Sequence, residues 1–307
     1  MKKLSLVLIA FVIFFAAVSA AAAQTVNVTK TVTYLDDLER EVTVPKDITS
    51  IITLAPSLTE TICALDAEEL IKAVDINSDY PESMQKAVKV TNWGMEPDYE
   101  MMLAVDPDVV FASEMTAMAE ISNMEKLGLT VYCVKNPADF DELFESILRI
   151  GVILGKEEES VKLVDELRER VDAVTEAMTG CEERKTVFYE LDATDPTKPW
   201  TAGKGTFISD IIHTSCGTNL GDELEGDWAQ ISLEALIQAD PEIILLGDAA
   251  YGNSAEAVTA RTGWGNISAV KNGALYEFDD NLVSRPGPRL VEGLEVIARL
   301  LNPDRFK

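Results

Sequence analysis

Two stretches of this chain repeat one pattern, EMMLAVDPDVV at residues 100–110 and EALIQADPEII at residues 234–244. Each begins with a glutamate that opens a short helix, continues to an Asp-Pro pair that ends it, and runs into an apolar strand. A tryptophan precedes each stretch, Trp93 in the first case and Trp228 in the second. Helix, proline and strand follow one another in many α/β chains, but the matched tryptophan and glutamate favour two similar halves.

Short apolar strands alternate with helical segments on both sides of these stretches. The strands are predicted at 51–54, 72–74, 88–90, 108–112 and 130–134 in the first half, and at 186–191, 243–246 and 275–278 in the second. The clearest helices are predicted at 59–65, 207–214 and 290–301. Strands that alternate with helices pair in parallel through helical crossovers, so an α/β fold is expected in each half.

The segment between the halves breaks this alternation. Residues 157–178 carry valine and leucine at helical spacing with charged residues on the other faces, which predicts one long helix between two similar lobes. The predicted division is an extended segment at 24–45, an N-terminal lobe at 46–138, helices including the interlobe helix at 139–180, and a C-terminal lobe at 181–307.

Residues 1–23 have the features of a signal peptide. Lys2 and Lys3 precede an apolar run at 4–18, and small residues extend to Ala23, where cleavage would release Gln24. The apolar run is short for a transmembrane helix, although an uncleaved signal anchor is the alternative. We therefore expect an exported, extracytoplasmic protein.

The composition is strongly acidic. The 307 residues include 26 Lys and Arg against 53 Asp and Glu, a formal net charge of −27 at pH 7. Such a surface repels nucleic acid and anionic lipid, so neither is expected as a partner. A protein that docks to this chain is expected to present positive charge.

Cysteine and histidine usage argues against a metal site or an active site. The chain has four cysteines, Cys63, Cys133, Cys181 and Cys216, which permit disulfides in an exported protein. The sequence does not decide which cysteines pair, and Cys63 and Cys133 also suit buried free thiols. His213 is the only histidine, so no zinc site is expected, and it is expected to pack in its helix. No nucleophile motif or phosphate loop is present, so we expect no catalytic residue and no cofactor.

Three of the four tryptophans lie in loop-like settings beside turn residues, namely Trp93, Trp200 and Trp228. Ligands of α/β sheets bind at the mouth of the sheet, where such rings can cover a large flat or apolar molecule. The alternative is that the rings only close the ends of the lobes. The fourth, Trp264, is expected to pack the second lobe.

Glu100 and Glu234 occupy the first turns of their predicted helices. A carboxylate there complements the helix dipole. The alternative is a matched pair, one on each lobe, that meets arginines of a partner protein. The spacing alone leaves both explanations open.

A set of motifs is distributed along the chain. It consists of ITLAPSLTE at 52–60, SDYP at 78–81, WGM at 93–95, PWTAGK at 199–204, WAQIS at 228–232 and GPR at 287–289, with the stretch that begins at Glu100. Together these motifs resemble those of the helix-linked (class III) solute-binding proteins of ABC importers, in particular the cobalamin-binding and ferric-siderophore-binding periplasmic proteins. The resemblance implies two Rossmann-like lobes with central parallel sheets joined by one long α-helix, with the ligand in the cleft.

The resemblance also implies roles for individual residues. The expected ligand contacts are Trp93, Trp200 and Trp228, which match aromatic positions of the corrinoid pocket, with Arg285 as a polar contact and Tyr80 of the SDYP motif. Glu100 and Glu234 match docking acids that pair with arginines of the permease. The expected protein is a monomer that captures a corrinoid such as cobalamin, a large metal chelate, and delivers it to an ABC permease and its ATPase.

Two alternatives to a corrinoid binder are kept. The first is a ferric siderophore or haem as ligand, for which the basic contacts would be Lys204, Arg261, Arg285 and Arg289. The second is an enzyme on a similar fold, such as a metal chelatase or an esterase.

The chain also departs from the cobalamin binders. Asn77 stands where they have a tyrosine, and Asn281 stands where they have an acid. The partner that the family provides for Cys216 in the last helix is missing, which makes Cys181 the candidate partner.

Overall fold

The computed structural model describes residues 30–307, and its first sheet contains five parallel strands. They are β3 (Ile51–Thr53), β4 (Ile71–Val74), β5 (Val88–Lys89), β6 (Val109–Ser113) and β7 (Val131–Val134), and their order across the sheet is β5-β4-β3-β6-β7. The helices of this lobe are α1 (Pro56–Ala64), α2 (Tyr99–Val105) and α3 (Met118–Lys126). Strands β6 and β7 are buried along their whole length, as expected for a parallel sheet covered by helices.

The second sheet contains four parallel strands in the order β10-β8-β12-β13. Its strands are β8 (Lys185–Glu190), β10 (Gly217–Asn219), β12 (Ile243–Leu246) and β13 (Leu275–Glu277), and β9 (Trp200–Ala202) pairs antiparallel with β11 (Trp228–Gln230) beside it. The helices are α6 (Phe207–Thr214), α7 (Leu233–Ala239), α8 (Ala255–Thr259), α9 (Ser268–Asn272), α10 (Asn281–Ser284) and α11 (Leu290–Leu301).

Two consecutive helices connect the sheets. Helix α4 (Phe140–Leu154) ends at Gly155, which adopts the left-handed conformation that stops a helix. Helix α5 (Glu157–Ala177) then runs for 21 residues and packs against α4 and α11 through a stripe that includes Val164, Leu167 and Val174. The fold of two parallel-sheet lobes joined by a long helix is therefore confirmed, while the lobe boundaries drawn from the sequence stay a prediction.

The repeated stretches adopt the same local structure. Helices α2 and α7 have seven residues each, and a side chain at the N-cap, Asp98 or Ser232, accepts a hydrogen bond from the third residue of its helix. Each helix ends at an aspartate in the left-handed conformation, Asp106 with φ 51° and Asp240 with φ 46°, and proline follows. The structure of the two halves thus matches the repeat in their sequences.

A hairpin, β1 (Thr31–Leu35) and β2 (Glu41–Pro45), precedes the first sheet. Its turn is fixed to the lobe by Asp36, which accepts hydrogen bonds from the Arg40 side chain and from the backbone N–H of Cys133 at 3.2 Å. The described part of the extended segment is therefore a docked hairpin. The signal peptide predicted at 1–23 lies outside the described residues. Within 30–307, no helix combines the length and apolarity that a bilayer crossing needs.

The cysteines and Trp264 follow the expectations. Cys181 and Cys216 form a disulfide, whereas Cys63 and Cys133 are free. Trp264 is fully buried in the second lobe and donates its indole N–H to the Pro196 carbonyl at 3.1 Å.

Candidate functional site

A cavity of about 580 Å³ lies where the two lobes meet. The carboxyl ends of the first sheet form one wall, because residues at or just after the ends of β3, β4, β5, β6 and β7 all line it. These are Leu54–Ser57, Asn77, Thr91, Ser113, Met115 and Asn136. Ser284, Arg285 and Pro286 of the second lobe form the opposite wall. The carboxyl ends of parallel strands are where α/β sheets bind ligands.

Two arginines of the second lobe bind carboxylates of the first. Arg289 donates to both oxygens of the buried Glu60 at 2.7 and 2.8 Å, and this contact raises the pKa of the guanidinium. Arg285 donates to Asp79 at 2.6 Å and to Glu60 at 3.3 Å. The predicted contact Tyr80 lies under Arg289, whose guanidinium is 4.0 Å from the ring centroid.

The backbones of the lobes also approach closely beside these ion pairs. A Cβ atom at Gly287 would lie 3.1 Å from the carbonyl oxygen of Ser57. The ion pairs and this backbone contact together hold the second lobe against the first at one end of the cavity. Arg285 therefore lines the cavity while its charge is already balanced.

The three predicted tryptophans divide between the lobes. Trp93 is 82% exposed and precedes Gly94 and Met95 of the cavity wall. Trp200 and Trp228 are 39% and 42% exposed in the second lobe. Because Trp200 is opposite Gln230 in the β9–β11 pair, and residues 228 and 230 share a face, both rings lie on one face of this ribbon. The structure thus brings Trp200 and Trp228 together, but none of the three tryptophans is among the residues that line the cavity.

Several exposed residues near the carboxyl ends of the strands were missed by the sequence reasoning, and two of them, Met95 and Met115, line the cavity. Met115 is 77% exposed directly after β6, and Met95 accepts a hydrogen bond from the Asn77 amide at 3.2 Å. Tyr251 is 87% exposed shortly after β12 in the second lobe. An exposed apolar side chain soon after a buried strand is the signal that could have identified Met115 and Tyr251.

Two carboxylates also belong to the cavity wall. Glu96 accepts a hydrogen bond from the Asn92 amide at 2.8 Å. Glu120 accepts one from the Tyr99 hydroxyl, and burial together with this contact raises the pKa of Tyr99. Both partners are neutral, so the negative charges of the two glutamates are not cancelled.

Further carboxylates are buried at the carboxyl edge of the second sheet. Glu190 at the end of β8 accepts two hydrogen bonds from Arg261, at 2.6 and 2.9 Å, and Asp248 lies beside it. Burial raises the pKa of Glu190 to about 7. Asp280, which accepts from the Tyr189 hydroxyl, also has a raised pKa because of burial. Asp248 fixes the loop that follows β8, because its side chain accepts a hydrogen bond from the backbone N–H of Ala193 at 2.8 Å.

Glu100 and Glu234 occupy equivalent positions in the two lobes. Each is the second residue of its helix, lies two positions after the capping residue, and is exposed. A partner could reach both carboxylates, and their docking role stays a prediction.

The expectation for His213 is wrong. Its ring is exposed at the surface of α6 and contacts Asp222 at 2.5 Å, because the buried face of that helix is occupied by residues such as Ile208 and Ile212. Asp222 is also bound by Ser209 at 2.6 Å, so the serine faces the carboxylate and not the imidazole. Within residues 30–307, no cluster of metal-binding side chains is found.

The comparisons with known proteins all point to one protein family. The model of the periplasmic binding protein family matches residues 51–282. An uncharacterised ABC transporter substrate-binding lipoprotein of Bacillus subtilis is 34% identical over 281 residues, which cover 90% of this chain and 87% of the relative. A cobalamin-binding protein of Halobacterium salinarum is 25% identical over 278 residues, which cover 88% of this chain and 73% of the relative.

A solved structure extends this comparison to the fold. A possible iron-binding (periplasmic solute-binding) protein from Staphylococcus epidermidis has a TM-score of 0.72 and 30% identity, covering 83% of this chain and 99% of that one. The chain therefore belongs to the periplasmic binding protein family, whose members bind solutes for transport and are not enzymes.

Proposed function

We propose that this protein works outside the cytoplasm and captures a corrinoid of the cobalamin type between its lobes. At the coarser level it is a substrate-binding component of an ABC importer. The observations that support a corrinoid are the cavity of about 580 Å³ at the lobe junction and three exposed indole rings, of which Trp93 lies next to the cavity-wall residue Gly94 and the other two lie on the β9–β11 ribbon of the second lobe. A macrocycle with broad apolar faces suits such a surface.

In this proposal each lobe covers part of the ligand. Trp93 contacts it from the first lobe, and Trp200 and Trp228 contact it from the second. Covering about 100 Å² of each ring would contribute on the order of 2.5 kcal/mol before the cost of association. Met115 adapts to the ligand's edge, since thioether side chains fill irregular gaps. Tyr80 and Arg285 close one end of the cavity.

Calorimetry of the mature protein with cyanocobalamin tests the proposal. We expect one corrinoid per protein, and a purified native complex should show corrin absorption bands. The control variant is Val161→Ala on the exposed face of α5, which should bind with unchanged affinity. Absence of heat, of a thermal shift and of bound pigment with every corrinoid tried would refute the proposal.

A ferric siderophore or haem is the second candidate ligand. The likeness to the possible iron-binding protein from Staphylococcus epidermidis favours it. Quenching of tryptophan fluorescence by a panel of siderophores and by haem, compared with cobalamin, separates the candidates.

We further propose that Glu100 and Glu234 dock the loaded protein to arginines of the permease, whose ATPase then drives uptake. Charge reversal at both positions should abolish uptake in vesicles that contain the transporter, while ligand affinity stays unchanged. Reversal of Glu158 and Glu166, exposed on α5, provides the matched control. Equal uptake by both pairs of variants would refute the docking role.

A further inference from the structure

Most of the basic side chains that could attract an anionic ligand already form ion pairs with carboxylates of the protein. Arg261 is paired with the buried Glu190, and Arg289 with the buried Glu60. Arg285 lines the cavity, but Asp79 and Glu60 balance its charge. Of the four cations suggested for a ferric chelate, Lys204 alone forms no ion pair within the described residues.

The two carboxylates of the cavity wall, in contrast to these arginines, have no partner of opposite charge within the described residues. Glu96 and Glu120 have neutral hydrogen-bond partners, Asn92 and Tyr99, which orient the carboxylates without cancelling their charges. Neither glutamate forms an ion pair within residues 30–307. The chain's net charge of −27 adds a negative background that salt screens only in part.

We propose that the cavity selects its ligand by charge, and that Glu96 and Glu120 make it prefer a cationic corrinoid over the neutral form of the same molecule. The inference rests on the proposed function and adds the charge class of the ligand. Aquocobalamin and cyanocobalamin test it, because they share one macrocycle and differ at one axial position on cobalt. At mildly acidic pH the first carries a positive charge and the second is neutral.

Affinity for both ligands is measured by calorimetry across a series of salt concentrations. We expect aquocobalamin to bind about fivefold more tightly at low salt, as for unit charges several ångströms apart in a partly exposed site. The advantage should shrink as salt rises. The double variant Glu96→Gln and Glu120→Gln should remove the difference in affinity between the two corrinoids. Glu158→Gln on the outer face of α5 should keep it.

The outcomes separate this inference from the proposed function. If neither corrinoid binds, the proposed function fails. If both bind with equal affinity, or if the preference is independent of salt and of the two glutamates, the charge selection alone is refuted. A shift of the corrin absorption bands on binding would mean that a protein side chain replaces the cobalt-bound water, and that would also overturn the charge explanation.

Discussion

The two lobes contain the same helix–proline–strand unit, yet they stabilise the carboxyl edges of their sheets differently. In the first lobe, buried Asp75 accepts from the Ser78 hydroxyl and from the backbone N–H of Asn77 at 2.8 Å. The Ser78 hydroxyl is also 2.8 Å from the Thr59 hydroxyl, in a chain of neutral groups. In the second lobe, Glu190 and Asp248 lie together and depend on Arg261.

One oxygen atom of Asp248 shows most clearly how the second lobe's edge differs from the first lobe's. Asp248 Oδ1 is buried and has no hydrogen-bond donor within the described residues, although it lies beside Glu190. A buried carboxylate oxygen without a donor is costly, and a proton shared between the two carboxyl groups would satisfy it. The same scaffold therefore has one edge where hydroxyl and backbone donors bind the buried aspartate, and another where an arginine binds the buried glutamate.

Removal of Arg261 should cause the largest loss of stability among the variants that test this difference between the lobes. Arg261→Met keeps most of the side-chain volume but leaves Glu190 and Asp248 without a cation, so the free energy of unfolding should fall by about 3–5 kcal/mol at pH 8. Denaturant unfolding measures it. The control is Lys89→Met in the first lobe, whose ammonium is near Asp75 but donates to the backbone carbonyls of Ser78 and Met84. Equal losses for both variants would contradict the contrast.

The disulfide should stabilise only the second lobe. Cys181 and Cys216 are separated by 35 residues, and a bridge of this span limits the unfolded chain enough to contribute about 4 kcal/mol. Replacement of both cysteines by serine should lower the second lobe's resistance to hydrogen exchange by this amount. Cys63→Ser in the first lobe, where the thiol is free, should leave it unchanged. Loss of protection in both lobes would mean that they unfold as one unit.

The pH dependence of stability should show the contribution of Glu190. Burial raises its pKa from 4.5 to about 7, so between these pH values the folded protein holds a proton that the unfolded chain has released. The contribution is complete below pH 4.5 and declines as pH rises through about 7, by on the order of 3 kcal/mol. The difference between the native protein and Glu190→Gln, followed by denaturant unfolding across this range, isolates it. Parallel profiles would argue against a protonated carboxyl group at this edge.

Ligand affinity should distinguish the tryptophans of the two lobes. Trp93→Ala should weaken corrinoid binding about tenfold with no change in stability, because the ring is mostly exposed in the free protein. Trp228→Ala should weaken binding and also lower stability by about 1 kcal/mol, since its ring packs edge-on against Phe207 at 6.4 Å. Calorimetry and thermal unfolding of both variants provide the measurement. Unchanged affinity in both would remove the rings from the proposed site.

Local patterns in the sequence were enough to place much of the fold. The helices at 207–214 and 290–301 and the strand at 243–246 have the predicted bounds, because apolar periodicity and turn residues mark their ends. The repeat around Glu100 and Glu234 was equally visible, since each unit is a local structure with its own cap.

Contacts between distant residues could not be predicted in the same way. Glu60 and Arg289 are 229 residues apart, and Glu190 and Asp248 come from different strands, so no local pattern links them. The sequence identifies Arg285 as a cation, but only the folded chain shows that two carboxylates already balance its charge. His213 was misassigned for a related reason, because a helical pattern does not reveal a partner such as Asp222.

Gly287 has a consequence for the width of the cleft. A methyl group at this position would press on the carbonyl oxygen and Cα of Ser57 at 3.1 and 3.4 Å, and a peptide backbone cannot rotate aside as a side chain can. The substitution Gly287→Ala would therefore push the two lobes apart by a few tenths of an ångström. One hydrogen atom in place of a methyl group thus lets the two backbones come together beside the cavity.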